Sequence, residues 1–70
     1  MTYRWIVNNP HRCFIGNSFN DPDTAIAFAR KWKQAGNKTH LNVFLIVLDN
    51  NVPVVYRKAS TDAPINLHNI

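Results

Sequence analysis

The sequence predicts a two-layer α+β domain of order β-β-α-β-β, with one helix packed on a four-stranded, mainly antiparallel sheet. An uninterrupted apolar run at residues 43–48 predicts a buried strand, and residues 20–24 carry a strong helix-start signal. Near the amino terminus, Tyr3, Trp5 and Val7 recur at every second position, as the residues on one face of a strand do.

The first two strands are predicted as a hairpin. Thr2–Val7 should be the first strand, and Arg12–Phe19 the second. Between them, Asn8–His11 has turn chemistry, since its proline fixes φ and the preceding asparagine is restricted to extended backbone. Gly16 indicates a bulge or a close approach of another group. On the first strand, one face carries Tyr3, Trp5 and Val7, and the other carries Arg4 and Ile6.

The helix signal begins at Asp21, which can cap, and Pro22, which suits the first helical position. The helix should run to about Ala35, with Gly36 in the left-handed conformation that ends it. Its apolar face is formed by Ala25, Phe28, Ala29 and Trp32, flanked by Ile26 and Ala35. If the Trp32 ring is buried, Trp32→Ala should cost about 3–5 kcal/mol.

The apolar run makes Leu41–Leu48 the third strand and requires cover on both of its faces. It is too short to span a membrane. Asn50 and Asn51 suit a two-residue hairpin turn into a last strand, Val52–Arg57. Pro53 lacks a backbone N–H, so this strand should lie at an edge or present residue 53 to its unpaired side.

The predicted domain covers residues 1–58, and residues 59–70 form a polar, loosely held tail that could dock through Ile65 and Leu67. A chain with one obvious helix can cover only one face of the apolar strand with it. The other face needs the tail, another strand or a partner, so the pattern points toward association, including a homodimer.

The charge balance favours an acidic or polyanionic partner. Eight Lys and Arg against four Asp and no Glu give a net charge of +4, and the sequence pI is about 9.7. This composition excludes a carboxylate-rich DNA mimic.

The start of the chain lacks a signal-peptide pattern, so we expect a cytoplasmic protein without membrane insertion.

No catalytic or metal-binding pattern stands out. His11 and Cys13 have no nearby acid to orient an imidazole, and the aspartates suit caps, turns and the tail. The histidines and the single cysteine (His11, Cys13, His40 and His68) lack the paired spacing of metal ligands. We therefore expect a protein without enzyme activity, cofactor or metal.

The basic residues are the candidate contacts. Helix residues Arg30, Lys31, Lys33 and Gln34, with Arg57 and Lys58 after the last strand, are predicted to bind a partner through charge complementarity. A protein partner is the leading interpretation. Nucleic acid stays open as the alternative, with the rings of Tyr3, Trp5, Phe14 and Tyr56 as stacking groups.

The segment from Thr24 to Lys58, about half of the chain, resembles the small phage-encoded inhibitors of bacterial defence, the anti-CRISPR type in particular. It comprises a short amphipathic helix, an apolar strand, an asparagine turn and a strand ending in Tyr56-Arg57-Lys58. The resemblance implies stoichiometric binding that blocks a nucleic-acid-guided host complex, which can be a ribonucleoprotein, in the host cytoplasm. It assigns no role to an individual residue.

Overall fold

A computed structural model of the chain describes residues 1–7, 16–36 and 42–70. These residues form an α+β fold with one α-helix and a three-stranded antiparallel sheet. The elements in chain order are β1 (Thr2–Val7), α1 (Pro22–Gln34), β2 (Val43–Asp49), β3 (Val52–Val55) and a 3₁₀ turn (Leu67–Asn69).

β2 is the central strand of the sheet, with β1 on one side and β3 on the other. In the ladder, Trp5 of β1 lies opposite Leu45, while Val54 of β3 lies opposite Val47. The predicted strand over the apolar run is confirmed from Val43 onward, and Leu41 lies outside the described residues. The predicted last strand is confirmed in part, since β3 ends at Val55.

The second predicted strand is not among the three that the described residues form. The predicted turn Asn8–His11 and residues 12–15 of that strand lie outside the described residues. Residues 16–19 form no strand, although Phe19 bridges Tyr3 of β1 through two N–H···O=C bonds of 2.8 and 3.0 Å. The close approach predicted at Gly16 is confirmed, because a Cβ there would lie 3.3 Å from the Phe28 ring.

The helix boundaries agree with the prediction. The Asp21 carboxylate accepts bonds from the Thr24 backbone N–H and hydroxyl, both at 3.0 Å, which satisfies an otherwise unpaired donor of the first turn. Ala35 caps the other end, and Gly36 follows with φ of +89°. This left-handed conformation carries no steric penalty at glycine.

The core lies between α1 and the helix-facing side of the sheet. Its buried residues are Trp5, Ala25, Ile26, Ala29, Val43, Leu45 and Leu67. The Trp5 indole N–H donates to the Ala25 carbonyl at 2.9 Å, which links β1 directly to the first turns of the helix. Trp32 is only half-buried at the edge of this core. The large cost predicted for Trp32→Ala required a buried ring, so that cost is not expected.

The hairpin turn between β2 and β3 has the predicted backbone. Asn50 and Asn51 have φ of +50° and +64°, the left-handed values that a two-residue primed turn requires. Such a turn matches the right-handed twist of its two strands. β3 therefore follows β2 directly and occupies the edge of the described sheet, as Pro53 predicted.

The segment after residue 58 is not loosely held, which corrects the sequence expectation. Leu67 is 2% exposed and belongs to the core, so the predicted docking through Ile65 and Leu67 is observed. Beyond β3, Tyr56 N–H donates to the Leu45 carbonyl, Leu45 N–H to the Ile65 carbonyl, and Ile65 N–H to the Tyr56 carbonyl. The segment thus takes over pairing with β2 where β3 diverges, and Asn66 bridges Phe44.

Replacing Trp5 by phenylalanine tests the link between strand and helix. Trp5→Phe keeps an aromatic ring but removes the hydrogen bond to Ala25 and leaves unfilled volume. We expect the free energy of unfolding to fall by about 1–3 kcal/mol in urea titration. A loss below about 0.5 kcal/mol would contradict the importance of this contact.

Truncating Leu67 tests whether the carboxyl-terminal segment is part of the folded unit. Because the side chain is enclosed in the core, we expect Leu67→Ala to lower the free energy of unfolding by about 2–5 kcal/mol. Val54→Thr is the matched control, because Val54 is 55% exposed and threonine keeps the branched Cβ. The control should change stability by less than about 0.5 kcal/mol, and equal effects of the two changes would refute this packing.

Candidate functional site

Among the described residues, the most exposed large apolar side chains after Met1 are the valines of β3. Val52, Val54 and Val55 are 59%, 55% and 40% exposed. Val54 lies opposite Val47 on the helix-facing side, and Val55 lies opposite Ile46 on the other side. β3 therefore exposes apolar surface on both faces of the sheet. The edge strands of soluble proteins usually avoid this arrangement.

The backbone of β3 also presents hydrogen-bonding groups outward. Tyr56 N–H donates to the Leu45 carbonyl at 2.8 Å, so residue 56 faces β2. Successive residues of a strand direct their N–H and C=O groups to opposite sides, which turns Pro53 and Val55 away from β2. This confirms the predicted orientation of Pro53, whose missing N–H falls on the outer side.

A concavity of about 260 Å³ lies beside β3 on the face of the sheet opposite the helix. Its described lining residues are Ile6, Val7, Phe44, Ile46, Pro53, Val55, Arg57 and Pro64. Farther into the sheet this face is buried, since Ile6 and Ile46 are 8% and 1% exposed. The apolar surface of this face thus becomes accessible to solvent near β3. The Arg57 guanidinium lies among the groups that line it.

The predicted basic residues of the helix divide into different roles. Arg30, Lys33 and Gln34 line a shallow concavity of about 460 Å³ together with Ile70, whereas Lys31 does not contribute to it. All four residues, Arg30, Lys31, Lys33 and Gln34, are exposed. The surface that they offer is open, and Ile70 is the one apolar residue among its described lining residues.

Lys33 has a structural role that the sequence analysis did not anticipate. Its Nζ donates to the backbone oxygens of Leu67, His68 and Ile70 at 3.5, 3.5 and 3.1 Å. An ammonium group has three protons, so these contacts match its donor capacity. Lys33 thus links the carboxyl-terminal turn to the helix while its side chain stays exposed.

Arg57 and Lys58 lie where β3 runs into the last loop. Arg57 is exposed, lines the concavity beside β3 and bridges Pro64. Lys58 is half-buried, and its carbonyl accepts bonds from the backbone N–H groups of Thr61 and Asp62. Of the six predicted contact residues, Arg57 is the one that adjoins the exposed apolar strand.

Three of the four aromatic side chains proposed for base stacking lie within the described residues, and each contacts other parts of the protein. Trp5 is 2% exposed in the core. Tyr3 and Tyr56 pack against each other edge to face, with ring centroids 5.7 Å apart and planes at 88°. Phe14 lies outside the described residues. Of the described members of this set, Trp5 is enclosed in the core, whereas Tyr3 and Tyr56 are half-buried.

Within residues 1–7, 16–36 and 42–70, no three His, Cys, Asp or Glu side chains gather into a group that could hold a metal ion. His11, Cys13 and His40 lie outside the described residues, and His68 is exposed on the 3₁₀ turn. The described part of the chain also contains no helix with the length and apolar character needed to cross a membrane.

Comparisons of the chain with protein-family models, with curated proteins and with solved structures find no match.

The contact residues predicted from the sequence are five cations and Gln34, and the valines of β3 are not among them. The signal was present in Val52-Pro53-Val54-Val55, where neither alternating set of side chains is polar although Pro53 marks an edge strand. An edge strand without a polar face has apolar surface to bury. Which valines stay open depends on where the helix lies, and the sequence does not give that position.

The anchoring role of Lys33 can be separated from surface charge by comparing two methionine variants. Lys33→Met should lower the free energy of unfolding by about 0.5–1.5 kcal/mol, because the backbone oxygens near Ile70 lose their shared donor. Lys31→Met removes the same charge two positions away and should change stability by less than about 0.5 kcal/mol. Thermal unfolding monitored by circular dichroism measures both, and equal stability would exclude the anchor.

Proposed function

We propose that this protein is a non-enzymatic binding module that acts by stoichiometric association with another protein through β3. The observation that carries the proposal is the exposure of Val52, Val54 and Val55 on both faces of one edge strand. Burying an exposed valine contributes up to about 1.5 kcal/mol, so a few such residues at the centre of an interface form an effective contact.

Charge supports a partner with an acidic surface. The chain carries a net charge of +4 and no glutamate, and Arg57 lies beside the apolar strand while Arg30 and Lys31 are exposed on the helix. Complementary charge accelerates encounter and disfavours basic partners, while the apolar strand supplies most of the burial.

The proposed biological role is inhibition of a host defence complex, such as a nucleic-acid-guided ribonucleoprotein, by a protein encoded in a phage or another mobile element. The resemblance to small phage inhibitors motivates this choice of target. A cytoplasmic site of action belongs to the same proposal, because such complexes work in the host cytoplasm.

The alternative function is that of a small basic nucleic-acid-binding protein. The exposure of Arg30 and Lys31 favours this alternative, since backbone phosphates are bound mainly by such side chains. The burial of Trp5 favours the protein partner instead, because it leaves that ring unavailable for bases.

The finer fold prediction, a four-stranded β-β-α-β-β arrangement, remains part of the proposal. The two backbone bonds between Tyr3 and Phe19 support a further strand on the outer side of β1. Such a strand would leave β3 as the edge at the other side of the sheet.

Paired surface variants distinguish the two functions. The double variant Val52→Thr/Val54→Thr removes apolar surface and keeps branched side chains and charge, whereas Arg30→Gln/Lys31→Gln removes two charges and keeps the strand. We expect the valine variant to lower retention of the protein partner by about tenfold, and the helix variant to lower it by less than about threefold. Quantitative pull-down from nuclease-treated host lysate, followed by titration with the purified partner, measures both.

Titration with single-stranded and duplex oligonucleotides tests the alternative. Binding that weakens steeply with salt, is lost in Arg30→Gln/Lys31→Gln and persists in the valine variant would replace the protein-binding proposal by the nucleic-acid one. Retention of a discrete protein that survives nuclease and depends on the valines is the result that we expect.

A further inference from the structure

We infer that the outer edge of β3 receives an extended, acidic peptide segment of the protein partner, which joins the sheet as an additional antiparallel strand. This inference rests on the proposed function and specifies the chemistry of the partner. It follows from three features of one edge: the direction of its backbone groups, the placement of its valines and the distribution of charge around it.

The outer side of β3 offers a continuous row of backbone hydrogen-bonding groups. Residue 56 faces inward, since its N–H donates to Leu45 and its C=O accepts from Ile65. Alternation then directs Val55 and Arg57 outward with both N–H and C=O, and Pro53 outward with its C=O. An incoming strand finds three acceptors and two donors in register.

The valines indicate why the occupant is a strand. Val54 is open on the helix-facing side of the sheet, while Val55 is open on the opposite side. A helix or a flat protein surface laid on one face would leave the other valine exposed. An added strand places side chains alternately on both faces and covers both valines at once.

Antiparallel pairing is the arrangement that continues the existing sheet, whose described strands are all antiparallel. A partner residue opposite Val55 can exchange two hydrogen bonds with it. The partner residue opposite Pro53 can donate one bond and receives none, because proline has no N–H. Pro53 therefore disfavours any register in which that position must donate.

Charge selects an acidic segment over a second copy of this chain. Residues 50–61 contain Arg57 and Lys58 but no acidic residue. In a symmetric pairing of two β3 strands about Val55, each Arg57 would lie opposite the Pro53 of the other copy, with no carboxylate on either strand. A carboxylate directly opposite Arg57 makes a favourable cross-strand pair instead.

These constraints predict a recognition pattern in the partner. Read from its amino end, the segment has an acidic residue opposite Arg57, any residue opposite Tyr56, and apolar residues opposite Val55 and Val54. A synthetic peptide with blocked ends and the sequence Ser-Glu-Thr-Val-Val-Thr-Ser carries this pattern. Its counterpart with lysine in place of glutamate is the charge control.

The decisive variant is Val55→Pro. It removes the outward N–H and places a ring at the edge, while the bonds of Val54 and Tyr56 to β2 remain. We expect Val55→Pro to bind the glutamate peptide about tenfold or more weakly than the unaltered protein in fluorescence anisotropy. Val55→Thr, which keeps the N–H and a branched side chain, should bind within about threefold of the unaltered protein.

Charge reversal gives an independent readout that a folding defect does not produce. Arg57→Glu should weaken binding of the glutamate peptide and strengthen binding of the lysine peptide. In ¹⁵N–¹H spectra of the unaltered protein, the Val55 and Arg57 amide signals should shift on addition of the glutamate peptide, and their hydrogen exchange should slow.

Several outcomes would overturn this inference. Equal binding of the glutamate peptide by the unaltered protein and Val55→Pro would place the contact elsewhere, and self-association lost in Val55→Pro would make a second copy the occupant. If neither peptide binds but a purified partner still requires Val52 and Val54, the binding-module proposal stands and strand addition is wrong. If the partner requires neither the valines nor Val55, both proposals fail.

Discussion

The burial of β2 on both faces and along both edges organises this small protein. Val43, Leu45 and Ile46 are at most 1% exposed, although the described chain has one α-helix to cover a sheet. β1 and β3 flank the two edges of β2, and α1 covers the face that carries Val43 and Leu45. The Trp5 indole fixes the helix against β1 through its bond to Ala25, so the helix position depends on a residue of the neighbouring strand.

The carboxyl-terminal segment completes the enclosure of β2 where β3 diverges. Leu45 bonds to Tyr56 through its carbonyl and to Ile65 through its N–H, so two successive segments share one residue of the central strand. Leu67 then fills the core, and Lys33 holds the last turn through three backbone oxygens. A charged side chain of the helix thereby stabilises the carboxyl-terminal turn.

The packing of the helix and of the carboxyl-terminal segment leaves the valines of β3 exposed. The helix and the carboxyl-terminal segment pack over β1 and β2, and β3 keeps open valines on both faces with Arg57 close to its end. An edge strand with apolar side chains and outward backbone groups favours association over solvation. Pro53 reduces this tendency at one position only, and in doing so restricts the registers that an added strand can adopt.

Local chemistry in the sequence determined the elements that short-range physics controls. Asp21, Pro22 and Gly36 define the helix ends, and Asn50-Asn51 defines the hairpin turn, because capping and positive φ depend on a few adjacent residues. Other features required the tertiary structure: Leu67 becomes core, Lys33 becomes an anchor, and the valines of β3 remain open. These outcomes depend on where the helix and the carboxyl-terminal segment meet the sheet, through contacts between residues as distant as Lys33 and Ile70. Hydrophobic periodicity indicates that a side chain needs cover, but the packed structure decides which segment supplies it.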